Sequence, residues 1–467
     1  MSTSLLGLLS YLLVQFVIAG WVFRRISTTR SYFIADRTLG PVLATFSLFA
    51  TWFGAETCIG SAGVIYSDGL SGGRADPFGY ALCLLLTGVF IAARIWNGQY
   101  LTVGDLLRRK FDGKVEKLAS AIVVISSLFW AAAQIRAFSQ VIGVVTGIQL
   151  DSAMLIAAGV VILYTTFGGL LADVITDMVQ GIVLAIGLII LGGALWMQQG
   201  SPVETIALQS AQRLSFVGSG ESLLQTLDSW LIPILGSLYA QELFARVMAS
   251  RSKKIAQSSA IHAFWIYLLI GSIPVWIGLV GPSQFPGLKQ GEQILPLFAQ
   301  STLSPFFFVI FSGALVSAIL STVDSTLLSA GSLLSQNLIG EQRRGWSERK
   351  QLFIARASVV GSGVVAYSFA AHSERIYDLV EEASSFGASG FFVVMTMAIL
   401  NRKLSSKAAF YTLLVGLVST LGFQFFELEA PFFYSLTLCF SFYFGAQWIE
   451  RLVAQESQYF ESSSKHS

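Results

Sequence analysis

Runs of roughly 20 consecutive apolar residues recur along the whole chain, and a helix of that length crosses the hydrocarbon core of a bilayer. In lipid every backbone N–H and C=O must be paired within the protein, which leaves only helices and closed barrels as spanning structures. A barrel would show many alternating segments of about ten residues; these runs do not alternate. Composition agrees, with 54% hydrophobic and only 12% charged residues against roughly 25% charged in a soluble domain. The chain therefore reads as an all-α polytopic membrane protein of about 13 transmembrane helices. They lie near residues 4–23, 40–65, 78–96, 117–147, 152–170, 175–198, 223–247, 261–281, 304–336, 352–371, 376–400, 406–424 and 430–449.

Basic residues orient those helices. With the N-terminus outside, the outer side holds Arg74, Arg213, Lys289 and Arg375, Arg136 falls mid-span, and the rest of the 29 Lys and Arg face inward. That asymmetry fits the positive-inside rule with an odd number of spans, the N-terminus outside and the C-terminus cytoplasmic, as in a cell's plasma (inner) membrane. The first run lacks a basic leader and a small-residue cleavage site, so it reads as a retained helix. Cys58, Cys83 and Cys439 all lie in apolar runs, so they read as small core residues with no disulfide framework. The net charge of +2 follows topology and implies no nucleic-acid partner. No nucleotide-binding loop is present, which argues against ATP-driven transport within this chain. His262, His372 and His466 sit near span ends or in the Ser-rich tail, no nucleophile–base pair is recognisable, and the chain is not expected to be an enzyme.

Two spans carry helix breakers. The second contains Phe53-Gly54-Ala55-Glu56, then Gly60 and Gly63; the seventh contains Pro233 and Gly236-Ser237. Paired broken helices in corresponding halves point to a transporter site at the midplane, although Gly and Pro are also common in membrane helices generally. Asp177 stands at the head of a spanning helix, in the stretch from Tyr164 to Gln180, where an acid needs a cationic or polar partner. On the ninth span Ala318, Ser321, Thr322 and Ser325 follow i, i+3, i+4, i+7 and share one face. Their hydroxyls and nearby carbonyls form a hard oxygen set suited to Na⁺; a small-residue packing stripe would read the same way. Asp324 adds a second acid. Arg136, mid-span, needs an interior partner: it could grip a carboxylate solute or pair with an acid such as Glu56.

The Tyr164–Gln180 stretch, Leu320-Ser-Thr-Val-Asp-Ser325 and Gln241-Glu-Leu-Phe-Ala-Arg246 closely resemble signatures of the sodium/solute symporter family, and the likeness covers nearly the whole chain. The resemblance implies a five-plus-five inverted-repeat (LeuT-type) core with one extra N-terminal and two extra C-terminal helices. It implies boundaries of 1–38 for the first extra helix and its loop, 39–400 for the core (39–198 and 223–400 as repeats), and 401–467 for the rest. Ala50-Thr51-Trp52, Phe129-Trp130-Ala-Ala-Ala133, Leu227-Asp228-Ser229, Ile294-Leu-Pro296 and Ser325-Thr-Leu-Leu-Ser329 are most similar to the high-affinity choline transporter branch.

Carried over residue by residue, the family's main sodium site falls on the carbonyls of Ala50, Phe53 and Ala318 and the hydroxyls of Ser321 and Thr322. A second sodium site falls on Asp177, Ser321 and Ser325, so one or two ions are implied, with chloride a possible accompaniment. Trp52, Tyr80 and Trp130 match an aromatic cage that holds a quaternary ammonium by cation–π attraction. A third cage tryptophan is replaced by Ala240, with Tyr239 beside it, and Glu56 and Thr57 depart from the branch's Gly and Tyr. The solute-binding candidates are thus Trp52, Glu56, Thr57, Tyr80, Trp130, Arg136, Tyr239 and Gln241.

The expected function is sodium-coupled import of a small organic solute: a quaternary amine or zwitterion such as choline, betaine or an amino acid, or alternatively a carboxylate. A sensor of the same fold is a second reading. The chain ends near its last span, so a sensor would need a partner chain, and no obligatory protein partner is evident beyond membrane lipid.

Overall fold

The computed structural model describes residues 28–464 apart from 289, 340–344, 374–375 and 401–404, together with residues 13, 17, 20 and 21. The first expected span and several of the counted basic residues therefore lie largely outside the described residues. The principal helices are α1 (Pro41–Trp52), α2 (Ser61–Asp68), α3 (Tyr80–Leu86), α4 (Gly113–Thr146), α5 (Leu150–Gln199), α6 (Leu223–Leu231), α7 (Gln241–Ala249), α8 (Lys253–Gln284), α9 (Pro305–Leu333), α10 (Glu348–His372), α11 (Ile376–Ser385), α12 (Ala388–Leu400), α13 (Ser406–Phe425) and α14 (Pro431–Ser464). The fold is all-helical; the described backbone has an isolated bridge between Leu39 and Ser250. Among the described residues seven helical stretches are long and apolar enough to cross a membrane, or eight if α11 and α12, bent by 41°, form one span.

Helix ends follow local chemistry. The Asp112 carboxylate accepts the Lys114 and Val115 N–H groups and starts α4, and Gly147, at φ 74°, ends it; an acidic N-cap and a left-handed glycine satisfy the orphan backbone groups of the two ends. The helical backbone of long α5 is interrupted at Gly169, which takes φ 59°, ψ 178°. The extended conformation of Asp76 likewise divides the stretch Glu56–Trp96.

Both expected breaks are present. α1 stops at Trp52, Phe53 takes φ −91°, ψ 73°, and the chain resumes through a wide turn at Glu56–Gly60 into α2. α6 gives way to a second wide turn at Ile232–Gly236, where Pro233 has no N–H to donate, and α7 begins only at Gln241. The two broken pieces are tied together at one end: the Leu39 N–H donates to the Ala249 carbonyl at 3.1 Å and the Arg251 N–H to the Leu39 carbonyl at 2.9 Å. Helix α9 is buried on every side from Ala314 to Leu333 and packs mainly on α5 and α4.

Gly236 sets how closely the second break approaches α11. A Cβ there would lie 2.2 Å from the Ser384 carbonyl oxygen, and backbone cannot step aside as a side chain can. Gly236→Ala is expected to cost about 1–3 kcal/mol by overpacking. A lowered melting temperature of the detergent-purified protein checks this; an unchanged one would mean that the contact relaxes freely.

Candidate functional site

Where α1 ends, its last carbonyls have no helical N–H to receive. The Thr322 hydroxyl, on α9, donates to the Thr51 carbonyl at 3.0 Å, with the Ala318 carbonyl a second acceptor at 3.2 Å. The Tyr267 hydroxyl donates to the Trp52 carbonyl at 3.1 Å. Ala50, Phe53, Ala318, Ser321 and Thr322 are all buried. The structure thus brings the broken end of α1 against the hydroxyl face of α9, with Thr51 supplying the carbonyl that Thr322 meets. This oxygen-rich junction has the donor chemistry of an alkali-cation site and no thiolate or imidazole; among the described residues no cluster of His, Cys, Asp and Glu has the makings of a metal centre.

One turn further along α9 the surroundings change. Asp173 and Asp177, four residues apart on α5, project from one face toward Arg246 of α7. Arg246 Nη2 donates to Asp173 Oδ2 at 2.7 Å, to Asp177 Oδ2 at 2.9 Å and to Ser325 Oγ at 2.5 Å. Its Nε donates to Ser47 Oγ at 2.8 Å, and the Ser47 hydroxyl donates to Asp177 Oδ2 at 2.5 Å. The Ser321 hydroxyl donates to Asp177 Oδ1 at 2.5 Å. Asp177, Ser321 and Ser325, expected to hold a second sodium ion, do converge, but around a fully buried guanidinium. The partner that Asp177 needed is Arg246. Asp324 turns elsewhere, its Oδ1 accepting the Thr165 hydroxyl at 2.7 Å.

The solute candidates divide into two groups. Trp130 of α4 stands between Trp52, with ring centroids 6.0 Å apart, and Tyr80, at 5.5 Å, and the Tyr80 hydroxyl pairs with Ser384 Oγ at 2.8 Å. Glu56 and Tyr80 line a cavity of about 480 Å³ that also touches Asp76, Asp228, Glu381 and Gln424. A pairing of Glu56 with Arg136, one of the two readings open for that arginine, is not formed: Gln134 Nε2 donates to Glu56 Oε2 at 2.6 Å, while Arg136 Nη1 donates to the Ala370 carbonyl at 3.2 Å. Residues two apart on a helix point about 200° apart, so Gln134 and Arg136 cannot both face Glu56.

Three other candidates are also engaged away from the aromatic trio. The Thr57 hydroxyl is bonded to Asp76 Oδ2 at 2.9 Å and to the Tyr267 hydroxyl at 2.7 Å. Tyr239 meets Thr396 Oγ1 at 3.1 Å and the ring of Phe392, and Gln241 Oε1 accepts the Val103 N–H at 2.9 Å. Gln134, Asp173, Arg246 and Ser47 join the site although the sequence motifs assign them no ligand role. The four-residue spacing of Asp173 and Asp177 was the signal available for that pair.

Near the mouth of the cavity Arg74 forms a bidentate pair with Glu221, Nη2 to Oε1 at 2.7 Å, and also donates to the Phe216 carbonyl at 3.2 Å. The guanidinium hydrogen bonds hold the Glu221 carboxyl down at about 2, against an ordinary 4.5. A depressed acid contributes stability that is fully present above its unfolded value and is lost as pH falls through its folded one. This pair therefore stays intact above pH 4.5 and weakens only as pH falls toward 2.

The profile of the sodium:solute symporter family matches residues 32–416. The high-affinity choline transporter 1 of Torpedo marmorata is 28% identical over 395 residues, covering 79% of this chain and 68% of that protein. The human high affinity choline transporter 1 is 28% identical over 363 residues, and the match spans 74% of this chain but 62% of that protein's length. The high-affinity proline transporter PutP of Bacillus subtilis (strain 168) is 27% identical over 419 residues, covering 86% of this chain and 88% of that one. Among solved structures, a substrate-bound, outward-open Na⁺-coupled sialic acid symporter superposes with a TM-score of 0.81 at 16% identity over 95% of this chain and 96% of that one. A closed nucleobase-cation-symport-1 family transporter gives 0.59 at 14% identity, over 90% of this chain and 95% of that one.

Proposed function

The chain belongs to the sodium:solute symporter family, a family of multi-pass transporters rather than enzymes, and on that premise we propose that it imports a small organic cation together with one sodium ion. The observation that carries the solute class is the aromatic trio Trp52, Trp130 and Tyr80 beside the buried Glu56 carboxylate. Aromatic faces attract cations by their quadrupole, and a carboxylate adds full charge. Arg136 meets the Ala370 carbonyl and Glu56 meets Gln134, so the arginine grip that a carboxylate or zwitterion would use has no support at this spot.

In this reading the carbonyls of Ala50, Phe53 and Ala318 and the hydroxyls of Ser321 and Thr322 hold the sodium ion, and Arg246 serves in place of a second. Sodium arriving from outside joins α1 to α9 and completes the solute site; release follows into low cytoplasmic sodium. The chain lies in the plasma membrane with its C-terminus inside, residues 39–400 forming the transport core. Membrane potential contributes about 2.3 kcal/mol per elementary charge per 100 mV. At about 1.36 kcal/mol per tenfold, one sodium ion supports roughly a 50-fold gradient of a neutral solute, and a cationic solute gains that term again.

Proteoliposomes loaded with K⁺ and placed in Na⁺ test this directly. Labelled choline, betaine, proline and small amines are offered; accumulation driven by Na⁺ supports the reading, whereas binding without accumulation favours a sensor. Trp52→Ala is expected to raise the half-saturating solute level about 2- to 30-fold, the range of a cation–π contact. An unaltered value would remove Trp52 from the solute site.

A further inference from the structure

Glu56 lies in the break of α1, and its carboxylate folds back over Gly54. A Cβ on Gly54 would lie 2.5 and 2.7 Å from the two Glu56 carboxylate oxygens and 2.8 Å from Thr322 Oγ1. Carboxylate and hydroxyl therefore share one small space that exists because residue 54 has no side chain. Gln134 clamps one side of the group: its Nε2 donates to Glu56 Oε2 at 2.6 Å and its Oε1 accepts the Ala55 N–H at 3.0 Å. The other oxygen, Glu56 Oε1, is buried without a well-formed hydrogen bond, and the Trp130 indole N–H beside the carboxylate is likewise without an acceptor. A buried carboxylate oxygen with an unfilled acceptor position is costly, and Gln134 holds the other side of the group, leaving Oε1 to take a donor from a bound solute. The cavity that Glu56 lines is acidic, with Asp76, Asp228, Glu381 and Glu429 on its walls, and Arg74, the one basic residue lining it among the described residues, is paired with Glu221.

Resting on the symporter reading above, we propose that Glu56 is a fixed anionic bridge between the sodium ion and the solute, and that the solute is a small ammonium compound carrying at least one N–H. Its Oε1 accepts that N–H, while the negative charge faces the sodium ligands beside Thr322. The bridge supplies from the protein an anion that a cationic solute cannot bring, so ion and solute stabilise each other across one carboxylate. A quaternary ammonium satisfies the aromatic faces but has no proton for Oε1. Loss of one hydrogen bond to a charged group corresponds to roughly a 10- to 150-fold loss of affinity.

The experiment uses the full chain in detergent and in proteoliposomes, with ethanolamine, its N-methyl and N,N-dimethyl derivatives, and choline. The four differ chiefly in the number of N–H groups. The expected result is Na⁺-dependent stabilisation and uptake of the first three, with affinity dropping at least about tenfold at choline. Glu56→Gln is nearly isosteric; it should flatten that step and raise the half-activating Na⁺ concentration, and Glu56→Asp should restore part of both. Choline bound as tightly as N,N-dimethylethanolamine by the native protein overturns the proposal without any variant. So does an unchanged step in a folded Glu56→Gln protein, or failure of all four compounds to bind. Those outcomes leave the symporter reading standing if Na⁺ still drives uptake of another solute; loss of all Na⁺-driven uptake in the native protein would remove that reading as well.

Discussion

Replacing Ser321 with alanine and Thr322 with valine together is expected to abolish sodium-driven uptake. Both hydroxyls sit on the α9 face that meets the broken end of α1, and the Thr322 hydroxyl bridges to the Thr51 carbonyl at 3.0 Å. In the proposed site a sodium ion exchanges its water for protein oxygens, and removing two of about five would leave it underliganded. Hydrogen bonds to charged groups are worth about 1.5–3 kcal/mol each. Taken as the scale for each lost ligand, this gives a rise of at least about a hundredfold in half-activating Na⁺, beyond any physiological concentration. Thr322→Val keeps the volume and the branched shape, so α9 should still pack. The measurement is uptake against external Na⁺ in proteoliposomes. Sodium kinetics like those of the native protein would place the coupling ion elsewhere.

Arg246→Met is expected to have the largest effect on stability. The guanidinium is fully buried and holds Asp173 and Asp177 at 2.7 and 2.9 Å. Without it, two buried carboxylates face each other across one helix turn. Removing one partner of a buried ion pair typically costs about 3–5 kcal/mol, because the charge left behind is uncompensated. Native protein and variant would be compared by melting temperature after solubilisation. The double change Arg246→Met with Asp173→Asn should recover part of the loss, since it removes an orphaned charge along with its partner. A single variant as stable as the native protein, or a double variant no better than the single one, would mean that the network carries little stability.

The break after Trp52 and the one around Pro233 were legible because glycine and proline act on their own backbone. The face formed by Ala318, Ser321, Thr322 and Ser325 was legible because helical periodicity places such residues together. The all-helical, LeuT-type architecture follows from the apolar runs and the motif resemblance, and the superposition with a Na⁺-coupled sialic acid symporter at a TM-score of 0.81 supports it.

Partner choice was not legible. That Asp177 needs a partner follows from its place in a membrane helix; that the partner is Arg246, 69 residues away, does not. The sequence leaves Arg136 open as a partner for Glu56, yet Gln134, 78 residues along the chain, is turned toward it. Tyr239, beside the position of a missing cage residue, falls in the non-helical step before α7 and is bonded to Thr396.

The order of residues specifies what depends on neighbours within a turn or two of helix: spans, breaks, caps and the stripe of hydroxyls on α9. Rotation of one helix against another decides the rest. Thr51 and Thr322 are 271 residues apart and meet at 3.0 Å, and Arg246 lies between two acids where a mobile cation was expected. A helix can turn about its axis without changing its own hydrogen bonds, so only packing against the other helices selects which side chains meet in the middle of the membrane.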